Sequence, residues 1–436
     1  MSFDFENTKC PCGKAHTSRV KAVYKGKGAI GKLSEAVRAL GGTRAFLLGD
    51  ENTMRVAKAA VFAALEDGDI PFSFYTYPMS PEPDEAAVGA AVMHFDPSCD
   101  VVIGIGSGVI NDIGKLLCHI TKKPYIIVAT APSMDGYASE SASMAVDGLK
   151  VSLPAKCAEI IIGDTDILKT APDTMLRAGL GDMLAKHVSI GEWRLANCIL
   201  GEYYCENVAD LIRTAVQKCV ENAEGLLKRE DAAVEAVFEG LVLGGTAMAY
   251  AGVSRPASGV EHYFSHVWDM RALSFATPAA PHGVQCALGT LYAAKMYEKI
   301  QKMKPDAEKA RKHAADFSYE KHATFLTRFL GKGANAMIAL EEKEGKYNKE
   351  KHAQRLSVIL EKWETLTEIM RKEIPTATKI SEILEKAGLT EEPSFQSMQK
   401  EDVKSTFLAS ADIRDKYVLS RLAWDLGVQE EVVEGV

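Results

Sequence analysis

Three histidines and one aspartate in the second half of the chain have the types and spacing of a metal site. His262 and His266, in SGVEHYFSH, are four residues apart and would share one face of a helix. His282 precedes Gly283 at the head of an apolar stretch, and Asp182 follows the two glycines of GLGD near a helix start. Two imidazoles and a carboxylate suit a first-row divalent ion and leave positions open, which makes the ion a Lewis acid for an oxygen-bearing substrate. Each piece also has a plainer reading. A histidine pair can be a polar stripe, a loop histidine means little alone, and an acid in a first turn serves the helix dipole. Spacing does not show that the three segments converge.

A second set of residues has phosphate chemistry. DVVIGIGSGVINDIGK (100–115) reads as a strand, then Gly104-x-Gly106-Ser107-Gly108, then a helix. Glycines let the backbone approach a phosphate, and the N–H groups opening the helix bind the anion. A tight strand-to-helix turn is the alternative. The first clear strand-to-helix turn, LLGDENT, has only Gly49, so the usual dinucleotide fingerprint is missing there. Asp50 closes that strand, where it could accept from a ribose hydroxyl and favour NAD over NADP, or cap the following helix. Cys10, Cys12 and His16 offer three metal donors. No fourth is apparent and Cys-x-Cys is not the usual zinc spacing, so the segment reads as a surface strand or flexible start.

The elements that position these residues fall into two kinds. Apolar runs at 44–50, 71–77, 100–106, 125–130 and 159–164 alternate with helical patterns at 52–66, 83–94 and 109–120. This alternation predicts an α/β fold with a parallel sheet covered on both faces. The Ser-, Ala- and Gly-rich stretch 131–156 predicts a long loop with a hairpin around Asp147-Gly148. Beyond about 166 the strand pattern stops and helices follow to the C-terminus, with 332–352 expected as a charged, solvated connection. Two domains are expected: residues 1–170, an α/β dinucleotide-binding domain, and 171–436, an all-helical metal and substrate domain.

The 436 residues carry a net charge of −8, which argues against a nucleic-acid or anionic-membrane partner held by bulk charge. No apolar run is expected to span a membrane, and the start lacks the layout of a signal peptide. Nine scattered cysteines, an odd number, predict a reducing, cytoplasmic setting rather than a disulfide framework.

In their order along the chain, the glycine loop, TAPSMDGYASESAS (130–143), GLGD, SGVEHYFSH and PHG resemble the sn-glycerol-1-phosphate dehydrogenases, most closely the bacterial branch. These belong to the superfamily of glycerol dehydrogenase, iron-type alcohol dehydrogenases and dehydroquinate synthase. The resemblance covers most of residues 20–300, and DIRDKYVLSRLAWDLG (412–427) is also similar. It implies a dehydroquinate synthase-like fold. It implies that Gly106, Ser107 and Gly108 hold the cofactor pyrophosphate and that Thr130, Ser133 and Ser139 line the dinucleotide. It further implies metal ligation by Asp182, His262 and His282, with Asp182 also beside the substrate, and substrate contacts for Asp135 and His266. The sequence departs from the family at Ser107, the middle position of the glycine triplet, and at Val284, where His-Gly-Glu is usual. The stretch 271–281 is also a few residues longer than is typical.

The implied reaction is reversible, metal-dependent reduction of dihydroxyacetone phosphate to sn-glycerol 1-phosphate. The expected cofactors are NAD(H) or NADP(H) and one divalent metal: zinc, with nickel or iron as alternatives. The expected partner is a small phosphorylated ketone or polyol, and a homo-oligomer is expected. Three rivals are weighed: a polyol or alcohol dehydrogenase acting on an unphosphorylated substrate such as glycerol, a non-redox lyase like dehydroquinate synthase, and a non-catalytic metal- or nucleotide-binding protein on the same scaffold, against which the intact metal set argues.

Overall fold

The computed structural model describes residues 9–146 and 149–436. The chain forms two compact units, Met1–Met183 with Asp210–Val253, and Leu184–Ala209 with Ser254–Val436.

The first unit is built on a six-stranded parallel sheet of β1 (Ala22–Gly26), β2 (Ala45–Asp50), β3 (Phe72–Tyr77), β4 (Val101–Gly106), β5 (Tyr125–Ala129) and β8 (Ile160–Asp164). The order is β1-β8-β5-β4-β2-β3. Helices α1 (Leu33–Ala39), α2 (Glu51–Glu66), α3 (Glu85–His94) and α4 (Gly108–Thr121) alternate with the strands, as the apolar rhythm predicts. Leu47, Ile103, Ile105, Val128 and Ile162 are fully buried on one face with Val61 and Leu65 of α2. Burying side chains of this size contributes about 1.5–3 kcal/mol each. Strand β1 was not expected. It is a short edge strand, AVYKG, paired among the described residues with β8 alone, so it lacks the apolar run that marks the others.

Between β5 and β8 the predicted hairpin forms from β6 (Ser141–Val146) and β7 (Leu149–Pro154), paired antiparallel. Its expected turn residues, Asp147 and Gly148, lie outside the described residues. The segment around Cys10 is not a loose start. Cys10 and His16 are buried, and Lys9 bridges Ala15.

After α5 (Thr165–Leu168) the chain is helical: α6 (Asp173–Leu200), α7 (Glu206–Glu221), α8 (Asp231–Ala251), α9 (Val260–Phe275) and α10 (His282–Ile300). The division expected at residue 170 follows the end of the strand pattern, whereas the compact units follow packing. Helix α8 belongs to the sheet unit because Phe238 seats on the backbone of Gly163 in β8, where a Cβ would lie 2.1 Å from its ring. Among the described residues α8 is the one helix long and apolar enough to cross a membrane by length and composition. Its Val234, Val237, Phe238, Leu241 and Val242 are buried in protein.

In the second unit α9 and α10 meet at Gly289, where a Cβ would stand 2.7 Å from the Glu261 carbonyl oxygen. The charged stretch 332–352 is not a solvated connection. Ala334–Glu344 is a helix whose Ala334, Met337 and Glu341 are buried, because these residues recur at helical spacing beneath the charges.

Candidate metal centre and dinucleotide cavity

The close α9–α10 packing sets two histidines side by side. The rings of His262 and His282 lie 5.1 Å apart at 62°. Each is held through Nδ1. His262 Nδ1 is 2.8 Å from Glu261 Oε1, and His282 Nδ1 is 2.9 Å from Ser265 Oγ. Ser265 donates to Gln285 Oε1, and Gln285 donates to Asp269. Partners of this kind fix the tautomer and orientation of a ligating imidazole and leave Nε2 for the metal.

Cys286, one turn after His282, completes the group. The ligand atoms of His262, His282 and Cys286 lie within 4.8 Å of one another, and Cys286 Sγ is 3.6 Å from His282 Nε2. Burial pushes the Cys286 thiol up, but the two imidazoles beside it outweigh burial and bring it below its ordinary value. The donor set therefore fits a divalent ion. Cys286, Glu261 and Ser265 were missed in the sequence. The signal was present: His282-x₃-Cys286 repeats the one-face spacing of His262-x₃-His266. His266, one turn along α9, is half-buried, its ring 6.4 Å from Tyr263.

Asp182 is not in a first turn, as expected from its glycines, but inside α6, which begins at Asp173. Gly179 serves packing. A Cβ on Gly179 would fall 1.8 Å from the Pro132 carbonyl oxygen, so α6 lies against the loop after β5. That contact sets Asp182 Oδ2 to accept from the Asp135 backbone N–H at 2.9 Å.

The glycine loop joins a strand to a helix. Strand β4 ends at Gly106 and α4 starts at Gly108, with Ser107 between them. Gly106 is needed for the turn, since a Cβ would come within 2.5 Å of Ile110 Cβ. Ser107 Oγ lies 2.5 Å from Ser133 Oγ, and Tyr137 donates to it at 3.3 Å. A cavity of about 470 Å³ opens here, lined by Asp50, Ser107, Gly108, Thr130 and Ser133 among others. Asn52, Arg55, Ser80, Pro172 and Met175 also line it and were not singled out in the sequence. Gly106 and Ser139 are not lining residues. Ser139 is turned to the buried Lys115, whose Nζ donates to its Oγ at 2.9 Å. Asp50 caps α2: Oδ1 accepts from Thr53 N at 2.9 Å, and Thr53 Oγ1 accepts from Asp50 N. Its Oδ2 accepts from Ser80 Oγ at 3.2 Å.

Arg255, the cation nearest the histidine motif in sequence, is structural. It is buried, paired through Nε and Nη2 with Glu202 at 2.8 and 2.6 Å, and donates to the Tyr417 carbonyl.

A sheet unit with this cavity, followed by helices carrying paired histidines, defines a class. A family model described as iron-containing alcohol dehydrogenase matches residues 24–172. Solved structures of the same architecture include an archaeal alcohol dehydrogenase from a Red Sea brine pool and an iron-containing alcohol dehydrogenase from Thermococcus thioreducens. The first has a TM-score of 0.60 at 13% identity, covering 96% of this chain and 98% of that one. The second has 0.58 at 14%, covering 97% and 100%. The chain has the iron-type alcohol dehydrogenase and dehydroquinate synthase-like fold. Within that class its curated relatives include glycerol-1-phosphate dehydrogenases. The protein of Halalkalibacterium halodurans named glycerol-1-phosphate dehydrogenase [NAD(P)+] is 29% identical over 296 residues, 67% of this chain and 74% of that one. One of the same name from Methanosarcina mazei is 40% identical over 190 residues, 44% and 52% of the two chains.

Proposed function

We propose that this chain is an NAD(P)-dependent, metal-dependent oxidoreductase that reduces dihydroxyacetone phosphate to sn-glycerol 1-phosphate, reversibly. The observation that carries the metal reading is the pair His262 and His282, each held by its Nδ1 with Nε2 left to ligate. We assign Asp182 as the carboxylate ligand on its match to the family motif. Zinc is the metal we favour over nickel or iron, because Cys286 adds a soft donor beside the imidazoles.

When bound, the nicotinamide and the metal supply a hydride and an electron-withdrawing centre for the substrate carbonyl. The chain's own residues do the rest. Backbone N–H groups of Ser107 and Gly108 at the head of α4 take the cofactor pyrophosphate. Thr130 and Ser133 position the dinucleotide in the cavity, and Asp50 accepts from its ribose. Gly106 shapes the turn, and Ser139 acts through Lys115 rather than by touching the cofactor. Asp135, its N–H fixed on Asp182, holds a substrate hydroxyl. His266 orients the substrate and returns the proton to the alkoxide oxygen, so that hydride and proton together complete the alcohol.

The test is NADH oxidation by chelator-stripped protein with dihydroxyacetone phosphate, run beside dihydroxyacetone, with Zn²⁺, Ni²⁺ or Fe²⁺ restored. Metal-dependent turnover of the phosphorylated ketone alone is expected. Turnover of the unphosphorylated ketone would favour the polyol dehydrogenase reading, and no net NADH oxidation would favour the lyase.

A further inference from the structure

The segment KCPCGKAH (9–16) takes no part in the chemistry above, yet it folds into a hydrogen-bonded turn with Cys10 and His16 buried. The chain reverses at Cys10–Gly13. Gly13 N donates to the Cys10 carbonyl at 2.9 Å, Gly13 has φ +86°, and Lys9 bridges Ala15 across the turn. Glycine suits that left-handed position because it has no Cβ to clash. The reversal brings His16 back beside the two thiols. Cys12 Sγ lies 3.4 Å from His16 Nε2, and the ligand atoms of Cys10, Cys12 and His16 are all within 4.8 Å of one another.

Three further observations point the same way. His16 is fully buried and Cys10 is 3% exposed, in a chain where none of the nine cysteines is in a disulfide. His16 Nδ1 is 2.9 Å from the Tyr250 carbonyl oxygen, so Nδ1–H donates and Nε2 carries its lone pair toward the thiols. This is the outer-shell arrangement of a ligating histidine. Lys14 donates to the next carbonyl, Ala251, so the segment covers the C-terminal end of α8.

We infer that Cys10, Cys12 and His16 bind a structural zinc ion, separate in its residues from the paired-histidine centre. Two thiolates and one imidazole are a soft donor set that selects Zn²⁺, and a closed tetrahedral site takes one more donor. Binding releases the two thiol protons to solvent and changes no oxidation state. The ion would lock the turn and hold the N-terminal segment on the end of α8.

The test is metal content of the full chain, loaded with zinc, desalted and assayed by plasma mass spectrometry. The wild type is expected to hold two equivalents per chain. Cys10→Ser/Cys12→Ser is expected to hold one, and so is His262→Ala/His282→Ala. X-ray absorption at the zinc edge of the second variant reads the remaining ion directly. At least two sulfur neighbours at about 2.3 Å are expected. A third sulfur would be traced by serine replacement of the other seven cysteines, one at a time. No zinc in His262→Ala/His282→Ala, a zinc content undiminished in Cys10→Ser/Cys12→Ser, or a zinc shell with fewer than two sulfurs would overturn the inference. The zinc content and absorption spectrum of His262→Ala/His282→Ala do not depend on how well the cysteine variant folds.

Discussion

Glu261 Oε1 lies 2.8 Å from Nδ1 of its chain neighbour His262 and also accepts the Gly259 backbone N–H at 2.7 Å. Both partners are buried, so the carboxylate fixes the ring's tautomer as well as its angle. Glu261→Gln keeps the shape but removes the charge that makes the imidazole a better donor. Metal affinity is expected to fall about 10–100-fold. Competition against a chromophoric chelator reads this directly, and an unchanged affinity would remove Glu261 from the metal's support.

Glu192 stands behind the same motif. Its Oε2 accepts from Val260 N at 2.9 Å, and its Oε1 accepts from Leu419 N at 2.8 Å and Tyr297 OH at 2.9 Å. Burial, and then the nearby Glu261, hold its carboxyl well above the usual range. The unfolded chain loses this proton near the ordinary value of 4.5, whereas the folded chain keeps it to higher pH. The folded state therefore binds more protons in that window, and stability falls as pH rises through it. Glu192→Gln is expected to flatten this fall. Urea midpoints of the metal-loaded protein between about pH 5 and about pH 8 measure it, and equal slopes for wild type and variant would refute it.

Two glycine substitutions should act with opposite sign. Gly179→Ala forces a Cβ to within 1.8 Å of the Pro132 carbonyl oxygen and must displace the loop that carries Ser133 and Asp135. A loss of about 1–3 kcal/mol is expected, with weaker NADH binding. Gly89 sits in α3 with nothing within 4 Å of its would-be Cβ, so Gly89→Ala should stabilise by about 0.5–1 kcal/mol. Denaturant unfolding and cofactor fluorescence titration of the two variants check both signs.

What the sequence made legible divides by physical cause. The central strands could be read because they are buried on both faces and so are apolar throughout; β1, an edge strand containing Lys25, could not. The glycine loop could be read because the turn at Gly106 tolerates no side chain. The histidine pair is a harder case. Spacing puts His262 and His266 on one face, but the partner that approaches His262 is His282, and that depends on α9 and α10 touching at Gly289. Cys286 carries no mark of its own in the sequence; what singles it out is its place one turn from His282. The Cys10–His16 turn reads as a surface segment because the contacts that bury it come from residues far away in the chain, Tyr250 and Ala251. Contacts of that range leave no mark on local periodicity.

The cavity also predicts how the chain treats its two cofactors. Asp50 and Arg55 both line it, one at the end of β2 and the other a turn into α2. An acid at this position accepts from a ribose 2′-hydroxyl, while a nearby arginine accommodates a 2′-phosphate. Asp50 has a second duty as cap of α2, and the two roles can be separated. Asparagine caps about as well as aspartate, so Asp50→Asn should leave stability within about 0.5 kcal/mol, whereas Asp50→Ala should cost about 1 kcal/mol. Both should raise the KM for NADH several-fold and spare NADPH. Arg55→Ala should do the reverse, because Arg55 is exposed and bonded only to Asn52 among the described hydrogen bonds. Steady-state kinetics with each nucleotide, alongside urea unfolding, gives the two readouts. If Asp50→Asn changes neither KM, Asp50 is a helix cap alone and the ribose is held elsewhere in the cavity.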